Sequence, residues 1–145
     1  MMIGVGTDLT SIKRVYAVYQ KQQARFLKRL LHPQEQEVFK TLSALKKKSY
    51  LAKRWAGKEA FAKALGTAIR DDVKLCEIAI LNNPKGQPYI MLTGGALQTM
   101  KRLLGKEKKP NIHISLSDEG DSAFAIVIIE ELKKTNGSKN GQSSK

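Results

Sequence analysis

One cysteine, Cys76, stands in a chain of 145 residues, so no disulfide can form within it. A reducing compartment, the cytoplasm, is the expected setting. Proline and glycine are sparse, at four and eleven, which excludes collagen-like and low-complexity classes. No apolar run reaches the roughly 20 residues needed to cross a bilayer. The opening MMIGVGTDLT has no basic start followed by an apolar core, so neither a signal peptide nor a membrane association is expected. Scarcest in proportion is negative charge: 13 Asp and Glu face 26 Lys and Arg, a formal net charge of +13.

That charge is uneven. Residues 13–54 carry twelve Lys or Arg against only Glu35 and Glu37. Such a field attracts an anionic partner: nucleic acid, a phosphate-rich small molecule, anionic lipid or an acidic protein. A nucleic-acid module would interleave basic residues with exposed aromatics or present an insertable helix. Phe26, Phe39, Tyr50, Trp55 and Phe61 mostly fall at core spacing instead, so no nucleic-acid partner is expected.

The periodicities predict a single α+β domain over residues 1–132, helices early and mostly antiparallel strands late, with a basic tail at 133–145. MIGVGTDL (2–9) reads as a strand with Ile3, Val5, Thr7 and Leu9 on one face and Gly4, Gly6 and Asp8 on the other. A basic helix is predicted over 11–31, broken at His32-Pro33, with Asp8 or Thr10 as its cap. A second helix spans 34–46, KKKS (46–49) is a solvated junction, and a third helix runs 50–65 to Gly66. Later elements are a strand over 73–81, a turn NNPKGQ and a return strand over 88–92. A helix over 94–104 capped by Thr93 follows, then strands over 111–117 and 122–132. The near-continuous apolar run of the last strand suits burial on both faces or within an oligomer.

Two features hint at chemistry. Gly4 and Gly6 leave a lane beside Asp8 where a ligand or another backbone can approach, although a bulged strand ending in a cap explains them equally. Glu59 sits on the helix beside Trp55, Ala56 and Ala60. It is either half of an i,i+4 surface pair with Lys63 or a metal ligand. Asp8 and Glu59 together offer the hard oxygens that magnesium takes, with substrate phosphate and water completing its shell.

The blocks GVGTDLTSIKRV, FLKRLLHPQE, LAKRWAGKEAFAKALGTAI, NNPKGQPYI and HISLSDEGDSAFAIVIIE, in this order and spacing, closely resemble the holo-[acyl-carrier-protein] synthase family over about residues 2–131. The resemblance implies a 4'-phosphopantetheinyl transferase fold and a homotrimer with sites at subunit interfaces. It also implies Mg²⁺-dependent transfer of 4'-phosphopantetheine from coenzyme A to a serine of apo acyl carrier protein, within fatty acid biosynthesis. By position, Asp8 and Glu59 match the family's magnesium carboxylates, and Lys63 the lysine that meets coenzyme A phosphate. Lys53 and Arg54 match a basic pair before the metal-binding glutamate, and Gly86 and Pro88 the loop around the nucleotide. Arg14, with Arg25 beside it, matches the grip on the acidic carrier. His113 is expected at the site's edge. Glu59 and Lys63 are the implied catalytic residues, Lys58 a possible second phosphate contact, and Glu59 or a water ordered at the metal the base. Three departures stand out: Gln87 where many members carry lysine, Asp118 where many carry histidine, and Ala68 where the helix commonly ends in glycine.

Overall fold

The computed structural model describes residues 1–66 and 73–135. Ala68 and the tail beyond Thr135 lie outside the described residues. The chain begins with β1 (Met2–Ser11), followed by α1 (Ile12–Gln22), α2 (Ala24–Leu30), α3 (Pro33–Lys40) and the long α4 (Ala44–Leu65). After one 3₁₀ turn at Leu75–Glu77 come the hairpin β2 (Ile78–Asn82) and β3 (Pro88–Leu92), α5 (Gly94–Leu103), β4 (Lys108–Glu119) and β5 (Ser122–Lys133). One antiparallel sheet has the order β1-β5-β4; the β2–β3 hairpin forms a second, two-stranded sheet.

The glycine face of β1, not its apolar face, meets the helix. A methyl group at Gly6 would overlap the Ala60 carbonyl oxygen, and one at Gly4 the Ala64 carbonyl oxygen. The lane beside Asp8 is therefore filled by the backbone of α4. Ala56, Ala60 and Ala64, all buried, let the helix sink onto the sheet, where Phe61 joins Ala125, Val127 and Ile129 in one core cluster. A second cluster of Val15, Phe26, Leu30, Leu31, Phe39, Tyr50 and Leu51 ties α1, α2 and α3 to the start of α4.

Among the described residues nothing covers the opposite face of the sheet. Val5 (54%), Leu9 (67%) and Phe124 (38%) are exposed there, in register with half-buried Ile126 and Ile128. So the apolar run of β5 divides: Ala123, Ala125, Val127 and Ile129 are buried inward, while its other residues face out.

Four local expectations are corrected. The helix over 11–31 is two helices, broken at Gln23 with φ 50°, and the turn lets Phe26 stack on Trp55 at 6.3 Å between centroids. The cap of α1 is Ser11, whose side chain accepts from Arg14 N, and not Asp8 or Thr10. Helix α3 stops at Lys40, and KKKS lies inside α4, which Ser43 caps. Lysine is a good helix former, and Lys47 and Lys48 rest over the rings of Phe39 and Tyr16. Finally, residues 75–77 coil before β2 begins, and Glu77 supplies the acceptor at the start of α5, taking the N–H of Ala96 at 2.9 Å while Thr93 makes no side-chain cap bond.

The contact of β1 with α4 makes a direct prediction. Gly6→Ala forces two backbones apart and should lower stability by about 2–3 kcal/mol, read as a lower midpoint in urea unfolding. An unchanged midpoint would refute the close approach.

Candidate active site

The packing of β1 on α4 decides which side chains meet. Asp8 lies two residues beyond Gly6 on the helix-facing side of β1, while Trp55, Glu59 and Lys63, one turn apart, form the open strip of α4. Lys63 Nζ donates to the Thr7 carbonyl at 2.9 Å and lies 3.2 Å from Asp8 Oδ1. The Asp8 side chain is 15% exposed, that of Lys63 57%. Burial, and then the charge of Asp8, raise the pKa of Glu59, with Lys63 opposing. The result is a half-buried pair of carboxylates with a single ammonium bridging toward one of them. Glu59 is therefore not simply half of a surface pair: Lys63 turns to Asp8 instead.

Among the described residues no group of three or more His, Cys, Asp or Glu side chains could hold a metal. Two carboxylates, one of them electrostatically strained by the other, still suit a hard cation whose shell is completed by phosphate and water. The ammonium of Lys63 on Asp8 stands where positive charge is needed. The donor set fits magnesium and fits poorly any ion that wants sulfur or nitrogen.

Arg14 and Arg25 are exposed on α1 and α2. Arg14 borders an apolar pocket of about 230 Å³ floored by Val15, Val18, Phe26 and Trp55. Asp121, from the turn between β4 and β5, accepts from the Ser11 hydroxyl at 2.6 Å and from Lys13 N at 2.8 Å, and these bonds hold its carboxyl below the usual range. This clamp orients the first turn of α1, and with it Arg14. It escaped the sequence reading because the partners are 110 residues apart.

The basic residues before Glu59 are placed differently from expectation. Lys53 pairs with Asp118 at 3.4 Å, so the departure at 118 gives α4 an anchor on β4. Arg54, expected at the nucleotide, is 5% exposed, lies over the Tyr50 ring at 4.0 Å and donates to the Ile80 carbonyl. Desolvation lowers its pKa. Such a buried guanidinium is not offered to a ligand at the surface. Lys58 is also a core residue, fully buried and 2.5 Å from Glu35 Oε1. Burial lowers its pKa to about 8 against the opposing pull of Glu35. It cannot face a phosphate while it holds that position. Helical spacing put Lys58 beside Leu51 and Trp55, which was the available sign of burial, and Glu35 passed unnoticed as part of HPQE.

The hairpin turn lies elsewhere. Asn83 Oδ1 accepts from Lys85 N and Gln87 N, and Asn83 Nδ2 donates to Gln87 Oε1. Gln87 thus closes the turn in which Gly86 takes φ 84°. Pro88, Gln87 and Tyr89 face His113 and Ser115 of β4 across a groove of about 510 Å³. His113 Nε2 meets Glu130 Oε1, with Asn111 beside it. Asp8 is on one edge strand and His113 on the other, so the expected contacts divide into two places within one chain.

Comparison with known proteins fits this arrangement. The family model described as the 4'-phosphopantetheinyl transferase superfamily matches residues 4–127. A holo-[acyl-carrier-protein] synthase of Caulobacter vibrioides is 43% identical over 136 residues, covering 92% of this chain and 99% of the relative. The crystal structure of holo-[acyl-carrier-protein] synthase from Neisseria meningitidis superposes with a TM-score of 0.79 at 35% identity, covering 90% of this chain and 99% of that one. The Helicobacter pylori enzyme in complex with coenzyme A has a TM-score of 0.73 at 28% identity over 87% of this chain and 99% of that one. With an α+β core built around the β1–α4 carboxylates and relatives matching nearly end to end, this chain belongs to the 4'-phosphopantetheinyl transferase superfamily.

Proposed function

We propose that the protein is a holo-[acyl-carrier-protein] synthase, transferring 4'-phosphopantetheine from coenzyme A to a serine of an apo acyl carrier protein in fatty acid biosynthesis in the cytoplasm. The observation that carries this reading is the meeting of Asp8, Glu59 and Lys63 at the β1–α4 contact. Among the described residues no helix is long and apolar enough to cross a membrane.

In the reaction the carrier serine oxygen attacks the phosphorus that bears pantetheine. A new O–P bond forms, the bond to the bridging pyrophosphate oxygen breaks, and adenosine 3',5'-bisphosphate leaves with the electron pair. Asp8 and Glu59 would hold Mg²⁺, which when bound supplies positive charge to the pyrophosphate and polarises the phosphoryl group under attack. Lys63 is the mobile cation of the site: its exposed ammonium reaches Asp8 here and has the length to turn to a phosphate oxygen. Glu59, through an oxygen the metal leaves free, or a water ordered beside it, would take the serine proton.

Docking of the carrier falls to α1 and α2. Arg14 supplies charge at the rim of an apolar pocket, a combination that suits an acidic helix bearing one apolar anchor. Gly86 and Pro88 are assigned to the nucleotide with the groove at His113. Since that groove and the carboxylates lie on opposite edge strands, a complete site calls for a neighbouring copy. The uncovered apolar face of the sheet supports the homotrimer expected from the family resemblance.

The first test is the intact mass of an apo acyl carrier protein after incubation with this protein, coenzyme A and Mg²⁺. One phosphopantetheine arm should be gained, and lost with EDTA; no gain with any of several carriers would overturn the reading. Asp8→Ala and Glu59→Ala should each lower transfer by at least about 10³-fold with the circular dichroism unchanged. Arg14→Ala should raise KM for the carrier about tenfold and leave kcat within about twofold, the mark of lost uniform binding. In metal-free protein the raised pKa of Glu59 means that the native state holds this proton more tightly than the unfolded chain. Its stabilising contribution is full below the ordinary value of 4.5 and is lost as pH rises through the raised one. As pH rises above 4.5, thermal unfolding should therefore show the wild type losing stability relative to Glu59→Gln, and Mg²⁺ should raise the midpoint of the wild type only.

A further inference from the structure

Among the described residues Glu35 is the one acidic side chain that is buried, at 0% exposure, and the proposed chemistry leaves it unused. Oε1 accepts from His32 N at 2.9 Å and from Lys58 Nζ at 2.5 Å; Oε2 accepts from Ile80 N at 3.2 Å, with Arg54 Nε 3.9 Å away. Lys58 Nζ also donates to the Leu30 carbonyl, and Arg54 Nη2 to the Ile80 carbonyl. The groups that meet its two oxygens come from a helix junction, a helix and a strand.

These groups join the elements that carry the three expected contacts. His32 N, and the Leu30 carbonyl that accepts from Lys58, lie at the end of α2, whose Arg25 is assigned to the carrier. Lys58 precedes Glu59 on α4. Ile80 of β2 pairs with Ile90 of β3, two residues beyond Pro88. We infer that Glu35 is a positioning residue: it holds the end of the carrier-side helix α2, the Glu59 turn of α4 and the nucleotide-side hairpin in one relative register. The inference rests on the functional reading above, since it concerns what those three elements bind.

The choice of an ion pair here is informative. A buried pair is often no more stabilising than an apolar replacement of the same volume, and the network leaves Arg54 Nε without a hydrogen bond. What apolar packing would not supply is direction. Two oxygens accepting from an α2–α3 junction, a helix and a strand fix rotation as well as distance, whereas methyl groups can slide. An amide at this position would turn an NH₂ toward a ring of donors, so Glu35→Gln keeps the volume and breaks the network.

The test compares the wild type with Glu35→Gln, at a temperature well below the unfolding of either. The readouts are KM for carrier, KM for coenzyme A, kcat, and Mn²⁺ affinity by electron paramagnetic resonance. Sucrose is added to return the variant's Tm to the wild-type value. Expected is a loss of about tenfold or more in Mn²⁺ affinity and a raised KM for both substrates, neither recovered in sucrose. If Glu35→Gln does not fold, Glu35→Gln/Lys58→Met, which removes the Lys58 ammonium together with the carboxylate it faces, takes its place with the same expectation. Wild-type constants in the stabilised variant overturn the inference and leave Glu35 a purely structural residue. A wild-type protein that neither binds Mn²⁺ nor transfers overturns the functional reading itself.

Discussion

The structure depends on how closely one helix backbone approaches one strand. Two glycines on β1 and a run of alanines on α4 remove every side chain that would keep them apart. Dispersion and burial over this contact favour folding, but its consequence for chemistry is geometric. A carboxylate on a strand and a carboxylate on a helix are brought into electrostatic contact, where burial and the charge of Asp8 raise the pKa of Glu59. Folding thus creates a deficit of positive charge at one point, met here by Lys63 and met by a cation in the proposed reaction. The same residues that make the core tight make the site reactive.

A second device keeps this arrangement in register with its surroundings. Lys58 and Glu59 are neighbours in sequence and point to opposite fates, one fully buried and the other at the open strip of α4. Helical geometry links them: rotating Glu59 away from Asp8 would pull Lys58 out of its bonds with Glu35 and Leu30. An unpaired buried ammonium is costly enough to oppose that rotation. On the outside of the same helix, Lys53 and Asp118 fasten α4 to the end of β4. The departure of residue 118 from histidine is therefore absorbed by an ion pair.

Much of this was legible in the residues, and the exceptions have physical reasons. The alternation of NIHISLS, the stop at Gly66 and the α+β order are local signals and match the observed elements. Asp8 and Glu59 stood out by their settings, one beside glycines and one beside alanines, and the family resemblance joined them with Lys63 as a set. The break at Gln23 was not, because a non-glycine residue with positive φ leaves no mark in composition; the stacking of Phe26 on Trp55 demands it. KKKS, expected as a solvated junction, lies inside α4, because lysine is a good helix former and Lys47 and Lys48 rest over aromatic rings of earlier helices. Arg54, matched by its place before Glu59, and Lys58, by its charge, were expected at ligands, and burial reversed both. Whether a cation faces solvent depends on an acid elsewhere in the chain, and Glu35 is 23 residues from Lys58.

The division of the expected site between the two edges of the sheet bears on assembly. The carboxylates sit at β1, while the hairpin turn and His113 sit beyond β4, with β5 between. A ligand spanning both within one chain would have to cross the end of the sheet. A second copy packed on the exposed face of Val5, Leu9 and Phe124 could bring one chain's β4 edge beside another's β1 edge. Burying those side chains would remove apolar surface from water and join the two half-sites in a single event. In the proposed trimer, then, oligomerisation and completion of the site are one requirement, because the same outward face of β5 that needs cover also separates the two halves. A monomer could retain the Asp8–Glu59 pair and still lack a wall for the nucleotide.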